Sequence, residues 1–111
     1  IAARNGHESI VITLLQNGAA VNAPEEDKWT PLHIAAQQGH EAVVITLLRN
    51  GAAVNAPEED QWTPLHVAAQ NGHESVVTTL LQKKADVDAR TKRQSTPLYI
   101  AAQNGHESVV T

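Results

Sequence analysis

Thr30-Pro-Leu-His-Ile-Ala-Ala36, closed by Gly39 and His40, decides how the rest of the chain is read. It returns as Thr63-Pro-Leu-His-Val-Ala-Ala69 with Gly72 and His73, and again as Thr96-Pro-Leu-Tyr-Ile-Ala-Ala102 with Gly105 and His106. Each copy lies 33 residues after the last, and the chain opens on the tail of another, Ile1-Ala2-Ala3 with Gly6 and His7. A constant step of this size marks a repeat array. Each unit is then one supersecondary element that buries its apolar face only against its neighbours.

Aligned on that step, the 111 residues form a single array. It has a partial unit at 1–24, full units at 25–57 and 58–90, and a partial unit at 91–111. The two full units agree at 22 of 33 positions, so they face the same structural demands and specificity belongs to the positions that vary. Within a unit the helix signals are local. Thr30 suits a helix N-cap, its hydroxyl accepting a free amide of the first turn. Pro31 follows at the first helical position, where its missing N–H costs nothing. Leu32, Ala35 and Ala36 make a narrow apolar face at i, i+3 and i+4. Gly39 supplies a left-handed stop. A second helix is expected from His40–Glu41, with Val43, Val44, Leu47 and Leu48 as its stripe and Gly51 at its end. The polar, Pro-containing stretch from Ala52 to Trp62 reads as an extended, turn-forming connector.

These residues resemble the ankyrin repeat family over the whole chain. The carriers are the Thr-Pro-Leu-His tetrapeptide, Ala-Ala, Gly-His, the Val-Val and Leu-Leu pairs, Gly-Ala and Val-Asn-Ala. The resemblance implies an all-α solenoid of helix-turn-helix units with projecting β-hairpin loops, and a concave face of hairpins and first helices that binds other proteins without chemistry. Three departures bear on this. The Gly usual at the hairpin turn is Lys28, Gln61 and Gln94 here, which leaves the turn type open, since a left-handed non-Gly residue costs about 1–2 kcal/mol. The Asp that opens the hairpin is Glu25, Glu58 and then Thr91. The Gly that ends the second helix, Gly18 and Gly51, becomes Lys84, which predicts a locally weaker third connector. Neither terminal unit carries the polar substitutions of a capping repeat. A segment of a longer array is the expectation, with apolar ends open to end-to-end self-association.

Composition narrows the function classes. Aromatics are 3% of the chain, with no Phe and no Met, so the core is built of Ala, Leu, Val and Ile. There is no Cys, hence no disulfide framework and no thiolate metal site. That composition fits an intracellular, cytoplasmic setting, and no apolar run reaches the ~20 residues of a membrane span. The formal charge of −4 is too mild to suggest nucleic acid or membrane as partner. Its distribution is uneven, −2 over 25–57, −3 over 58–90 and +1 over 91–111.

Six histidines at fixed spacing raise the question of a metal. Packed helices sit about 8–10 Å apart, too far for one column (His7, His40, His73, His106) to share an ion held at about 2.0–2.1 Å. The second column, His33 and His66, ends in Tyr99, a poor metal ligand. Hydrogen bonding to loop and turn backbone is the expected role of both, and no metal or other cofactor is expected. Catalysis has no better footing. Ser9, Ser75, Ser95 and Ser108 have no base and orienter beside them. The carboxylates Glu25-Glu26-Asp27 and Glu58-Glu59-Asp60 read as solvated loop acids, whereas acid–base work needs a desolvated one.

The binding signal lies just before the Thr-Pro. Trp29 and Trp62, the chain's two tryptophans, occupy the same unit position, which the ankyrin resemblance puts on the hairpin's inner side. Each is either an interface anchor or packing between hairpins. Ser95 replaces them in the last unit, where Thr91-Lys92-Arg93 also replaces Glu58-Glu59-Asp60. Such a charge switch could orient a partner. The inner ends of the first helices carry Arg4-Asn5, Gln37-Gln38, Gln70-Asn71 and Gln103-Asn104, an amide strip that both donates and accepts. Ile12, Ile45, Thr78 and Thr111 are either extra stacking contact or a back-face patch. Asn22 and Asn55 match the hairpin Asn hydroxylated in the resembled family, but Ala20 and Ala53 stand where an acid usually precedes it. The sequence therefore assigns partner binding to Trp29, Trp62, Asp27, Asp60, Gln37, Gln38, Gln70, Asn71, Lys92 and Arg93. A spacer or scaffold segment without a dedicated ligand, or an engineered repeat scaffold, is the alternative.

Overall fold

A computed structural model describes residues 8–25 and 27–105. Among them are six short helices: α1 Glu8–Gln16, α2 Pro31–Gln38, α3 Glu41–Arg49, α4 Pro64–Gln70, α5 Glu74–Gln82 and α6 Pro97–Gln103. First helices pack on first helices (α2 on α4, α4 on α6), and second helices do likewise (α1 on α3, α3 on α5). Within a unit α2 packs on α3 and α4 on α5. No strand forms among the described residues, so the expected β-hairpins are reverse turns.

The starts of α2, α4 and α6 follow from their letters. Thr30, Thr63 and Thr96 are extended at φ near −90°, and each hydroxyl accepts the N–H of the third residue on. Pro31, Pro64 and Pro97 fill the first turn. Gly39 is left-handed at φ 73° and closes α2, its N–H reaching the carbonyls of Ala35 and Ala36. Helices of seven to nine residues are marginal alone, so their stability comes from the stack. The core runs through it as Val11, Leu32, Ile34, Val43, Val44, Leu47, Leu65, Val76, Val77 and Leu80, with Ala35, Ala36 and Ala68 where helices approach closely. Alanine at those contacts removes bulk between helix axes, which an aromatic core could not do.

The turn type left open by the missing Gly is resolved. Lys28, Gln61 and Gln94 are all left-handed, at φ 63°, 67° and 69°. In each turn the left-handed residue donates its N–H to a carbonyl three residues back, as in Gln61 N to Glu58 O at 2.9 Å. The turn closes again one residue wider, Glu58 N to Trp62 O at 3.0 Å. Lys84 is left-handed too, at φ 73°, repeating the conformation of Gly18 and Gly51 with a side chain attached.

Candidate functional site

His33 and His66 tie each first helix to the unit after it. The backbone N–H of Thr30 donates to His33 Nδ1 at 3.1 Å, and His33 Nε2 lies 2.8 Å from the Trp62 carbonyl. An amide N–H can only donate and a carbonyl can only accept. The ring is therefore neutral, with its proton on Nε2. His66 repeats the arrangement, accepting from Thr63 N at 3.0 Å and donating to the carbonyls of Ala89 and Ser95 at 2.9 and 3.0 Å. Both rings are fully buried, and burial pushes both pKa values below the ordinary histidine value. Nearby carbonyls, and the carboxylates of Glu58 and, at His66, Asp86, oppose that shift without cancelling it. Of the other column, His73 donates from Nε2 to Gln37 O at 2.9 Å, while His7 and His106 lie outside the described residues. Backbone hydrogen bonding, the expected role, accounts for the rings of His33, His66 and His73.

A pH dependence follows from the two buried rings. Above about pH 6.5 neither folded nor unfolded chain protonates them, and stability is at its full value. Below it the unfolded chain takes up protons that the folded one rejects, so stability falls with pH until the lowered folded pKa is reached. The urea midpoint is expected to be lower at pH 5.5 than at pH 7.5. An unchanged or higher midpoint in acid contradicts the neutral-histidine assignment.

The predicted site residues separate into two groups. Asp27, Trp29, Asp60, Trp62, Lys92 and Arg93 lie on three successive turn tips that the backbone joins directly. Glu59 N donates to Asp27 O at 2.9 Å and Lys92 N to Asp60 O at 2.8 Å. Asp27, Asp60, Lys92 and Arg93 are exposed and the two tryptophans are half-buried. The Trp29 ring lies 5.3 Å from the His33 ring, tilted by 51°, and Trp62 lies 5.8 Å from His66 at 54°. Trp29 also packs against the core. Gln37, Gln38, Gln70 and Asn71 are at the other ends of α2 and α4, about 10 Å away along helices of this length.

The amide strip is less free than its composition suggests. Asn71 Nδ2 donates to Val67 O at 2.9 Å, and Asn50 and Asn104 make the same bond four residues back, at Thr46 O and Ile100 O. Asn71 thus closes its own helix. Gln38 and Gln70 are exposed and Gln37 is half-exposed, its carbonyl held by His73. Arg4 and Asn5 lie outside the described residues.

Two residues escaped the sequence reading. Glu58, expected as a solvated acid, is buried, and its Oε1 accepts the N–H groups of Asp60 at 2.7 Å and Trp62 at 2.9 Å. Thr91 is buried in the third turn, where Oγ1 accepts Ser95 N at 3.1 Å. An oxygen four residues before the Trp or Ser position organises the turn from within. The signal was the place of Glu58 and Thr91 in the unit, where the resembled pattern has Asp. Glu25, at that place in the first turn, is exposed. Asn22 and Asn55 also bridge units, their Oδ1 atoms accepting Ala53 N at 2.8 Å and Asp86 N at 2.7 Å. Ile12 and Ile45 are half-buried and Thr78 exposed, so this column is partial stacking contact that fades along the array. Tyr99 does not take over the histidine's role, because it is exposed and α6 lacks the reciprocal cap.

Among the described residues no group of three or more His, Cys, Asp or Glu side chains could hold a metal ion, and no helix is long and apolar enough to cross a membrane. No curated protein sequence matches the chain. A family model described as ankyrin repeats (3 copies) matches residues 1–91 and again residues 55–111. The chain belongs to the ankyrin repeat family, an all-helical solenoid fold whose members in general mediate protein–protein interaction without catalysis.

Proposed function

We propose that this ankyrin repeat chain holds a partner protein across its row of turn tips. Trp29 and Trp62 anchor, and Asp27 and Asp60 against Lys92 and Arg93 set the partner's direction. The observation that supports this most is the state of the two tryptophans. Each sits half-buried against a fully buried histidine, beside exposed charges on tips joined by backbone hydrogen bonds. An aromatic held rigid on one side and open on the other loses little freedom when a partner covers it. Gln37, Gln38 and Gln70 would extend the contact along the first helices, with Asn71 offering its Oδ1 and its second amide hydrogen.

A second reading, a spacer with no dedicated ligand, is favoured by the packing of Trp29 into the core and by the near-identity of the units. One comparison separates the two. Proteins captured from cell extract by the wild-type array are compared with those captured by Trp29→Ala/Trp62→Ala and by Asp27→Lys/Asp60→Lys. The charge variant touches only exposed side chains and must keep the wild-type circular dichroism and melting. Loss of one specific captured protein in both variants is expected, at least about tenfold per lost anchor. Capture that survives both substitutions, with melting lowered by the tryptophan pair alone, leaves the tryptophans as packing and supports the spacer.

A further inference from the structure

Five of the six glycines follow an asparagine, in the pairs Asn5-Gly6, Asn17-Gly18, Asn50-Gly51, Asn71-Gly72 and Asn104-Gly105. The sixth, Gly39, follows Gln38. An asparagine before glycine is open to attack by its own chain. The glycine backbone nitrogen adds to the side-chain amide carbon, with no side chain of its own in the way. The new bond closes a five-membered succinimide, and the amide nitrogen leaves as ammonia, taking the bonding electrons and the glycine N–H proton. Water then opens the ring at either carbonyl. The product is aspartate, or isoaspartate, in which the main chain runs through the former side-chain carbon. Gln38 would have to close a larger ring and reacts far more slowly.

Asn5 lies outside the described residues, and each of the other four pairs ends a helix. There the fold keeps the reacting atoms apart. The ψ angle is 16° at Asn50 and 3° at Asn71 and Asn104. Ring closure needs the glycine nitrogen eclipsed with Cβ, a turn of roughly 120° about the Cα–C bond from such values. The leaving nitrogen is tied as well. Nδ2 of Asn17, Asn50, Asn71 and Asn104 donates to the carbonyl four residues back, at 2.8 or 2.9 Å. The attacking nitrogen is also engaged, Gly51 N donating to Leu48 O at 3.2 Å and Gly72 N to Ala69 O at 3.3 Å. Such a pair reacts only after its helix end has opened.

The two interior pairs are held by different ties. Gly51 is joined to the preceding unit by Asn22, whose exposed side chain meets Gly51 O at 3.2 Å and Ala53 N at 2.8 Å. Next to Gly72 stands the half-buried His73, whose Nε2 holds Gln37 O at 2.9 Å and whose ring lies close against Gly39. Turning the Asn71–Gly72 peptide therefore moves a ring packed between two units. We infer that Asn50 and Asn71 are self-modification sites closed by the fold, Asn71 converting only when its unit parts from the one before. The conversion runs one way. The aspartate formed from Asn71 has no N–H for Val67 O and sets a negative charge at the negative end of α4. Isoaspartate also lengthens the main chain by one carbon just before the left-handed Gly72, which displaces His73. Opening thus leaves a mark that favours further opening.

Site-resolved peptide mass spectrometry of the intact chain, aged at pH 7.5 and 37 °C with and without guanidinium, tests this. In denaturant Asn50 and Asn71 should convert at similar rates, as two unfolded Asn-Gly pairs. In the folded chain both should be slower by at least about tenfold, with Asn71 the slower of the two. His73→Ala should speed Asn71 in the folded chain by roughly fivefold, about the worth of one hydrogen bond, and leave Asn50 unchanged. Asn71→Asp, which copies one product, should melt below the wild type. A folded chain that converts either asparagine as fast as the unfolded chain overturns the inference. So does a folded chain in which Asn71 converts as fast as Asn50. Both comparisons need only the wild-type protein, so they stand whether or not a variant folds. An unaltered Asn71 rate in a His73→Ala chain that keeps its circular dichroism, or an Asn71→Asp chain that melts with the wild type, overturns it too.

Discussion

His66→Ala is expected to lower the unfolding free energy by about 3–5 kcal/mol. The ring is fully buried and engages both nitrogens. Removing it leaves the Thr63 N–H and the Ala89 carbonyl without those partners, and a buried group stripped of its partner costs about 1–3 kcal/mol. The Ser95 carbonyl is partly compensated, because it still accepts Thr91 N at 2.9 Å. The void adds a cavity term, and the Trp62 ring loses the surface on which it rests. Domains of this size hold about 5–15 kcal/mol in total. In a stack, that loss falls on the interface between two units, so the later units should separate from the earlier ones. Tyr99→Ala is the internal control, at the same position of the unit but exposed, with an expected change within about 0.5 kcal/mol. Urea unfolding followed by circular dichroism and tryptophan fluorescence measures both. A His66→Ala loss no larger than that of Tyr99→Ala would mean that the histidine does not link the units.

Gly39→Ala is the second large effect, with an expected cost of about 2–4 kcal/mol. Gly39 is left-handed, and a side chain there costs about 1–2 kcal/mol. A Cβ at this position would also stand 2.7 Å from His73 Nδ1, so the ring must move, and its Nε2 holds the Gln37 carbonyl of the preceding unit. Gly51→Ala separates the two terms. Gly51 is left-handed at φ 92° but has nothing within 4 Å of the added carbon. It should cost only the backbone part, about 1–2 kcal/mol. Lys84, left-handed at the position equivalent to Gly51, shows that the fold accommodates that strain. Thermal melts of both variants provide the comparison. Equal losses at Gly39 and Gly51 would remove His73 from the account.

How much of the candidate site was legible depended on the reach of each interaction. The Trp pair and the tip charges were visible because they sit at a fixed distance from a motif that announces itself. The division of the site into two groups was not, since it depends on which ends of α2 and α4 face the tips. Asn71 appeared as a free amide and proves to close its own helix, a competition between side chain and water that the letters do not decide. Glu58 appeared as a loop acid because its neighbours are acids. Two backbone N–H groups that the left-handed Gln61 turns toward it make it an internal strut of the turn.

The sequence by itself determined the unit, its helix starts and stops, and with them the family. Those signals act within a few residues. A hydroxyl reaches the third amide on, a proline presets one angle, and a glycine opens one region of backbone space. The tertiary structure alone decided what each repeated letter does. Thr-Pro-Leu-His is core and linkage in the second and third units because the next unit supplies the Trp62 carbonyl to His33 and the Ser95 carbonyl to His66, each 29 residues on, with the Ala89 carbonyl of its own connector also meeting His66. Thr-Pro-Leu-Tyr keeps the same cap and helix yet leaves Leu98 and Tyr99 in solvent, since no described unit follows to cover them. Burial and protonation belong to the neighbour, and the neighbour is a property of the stack.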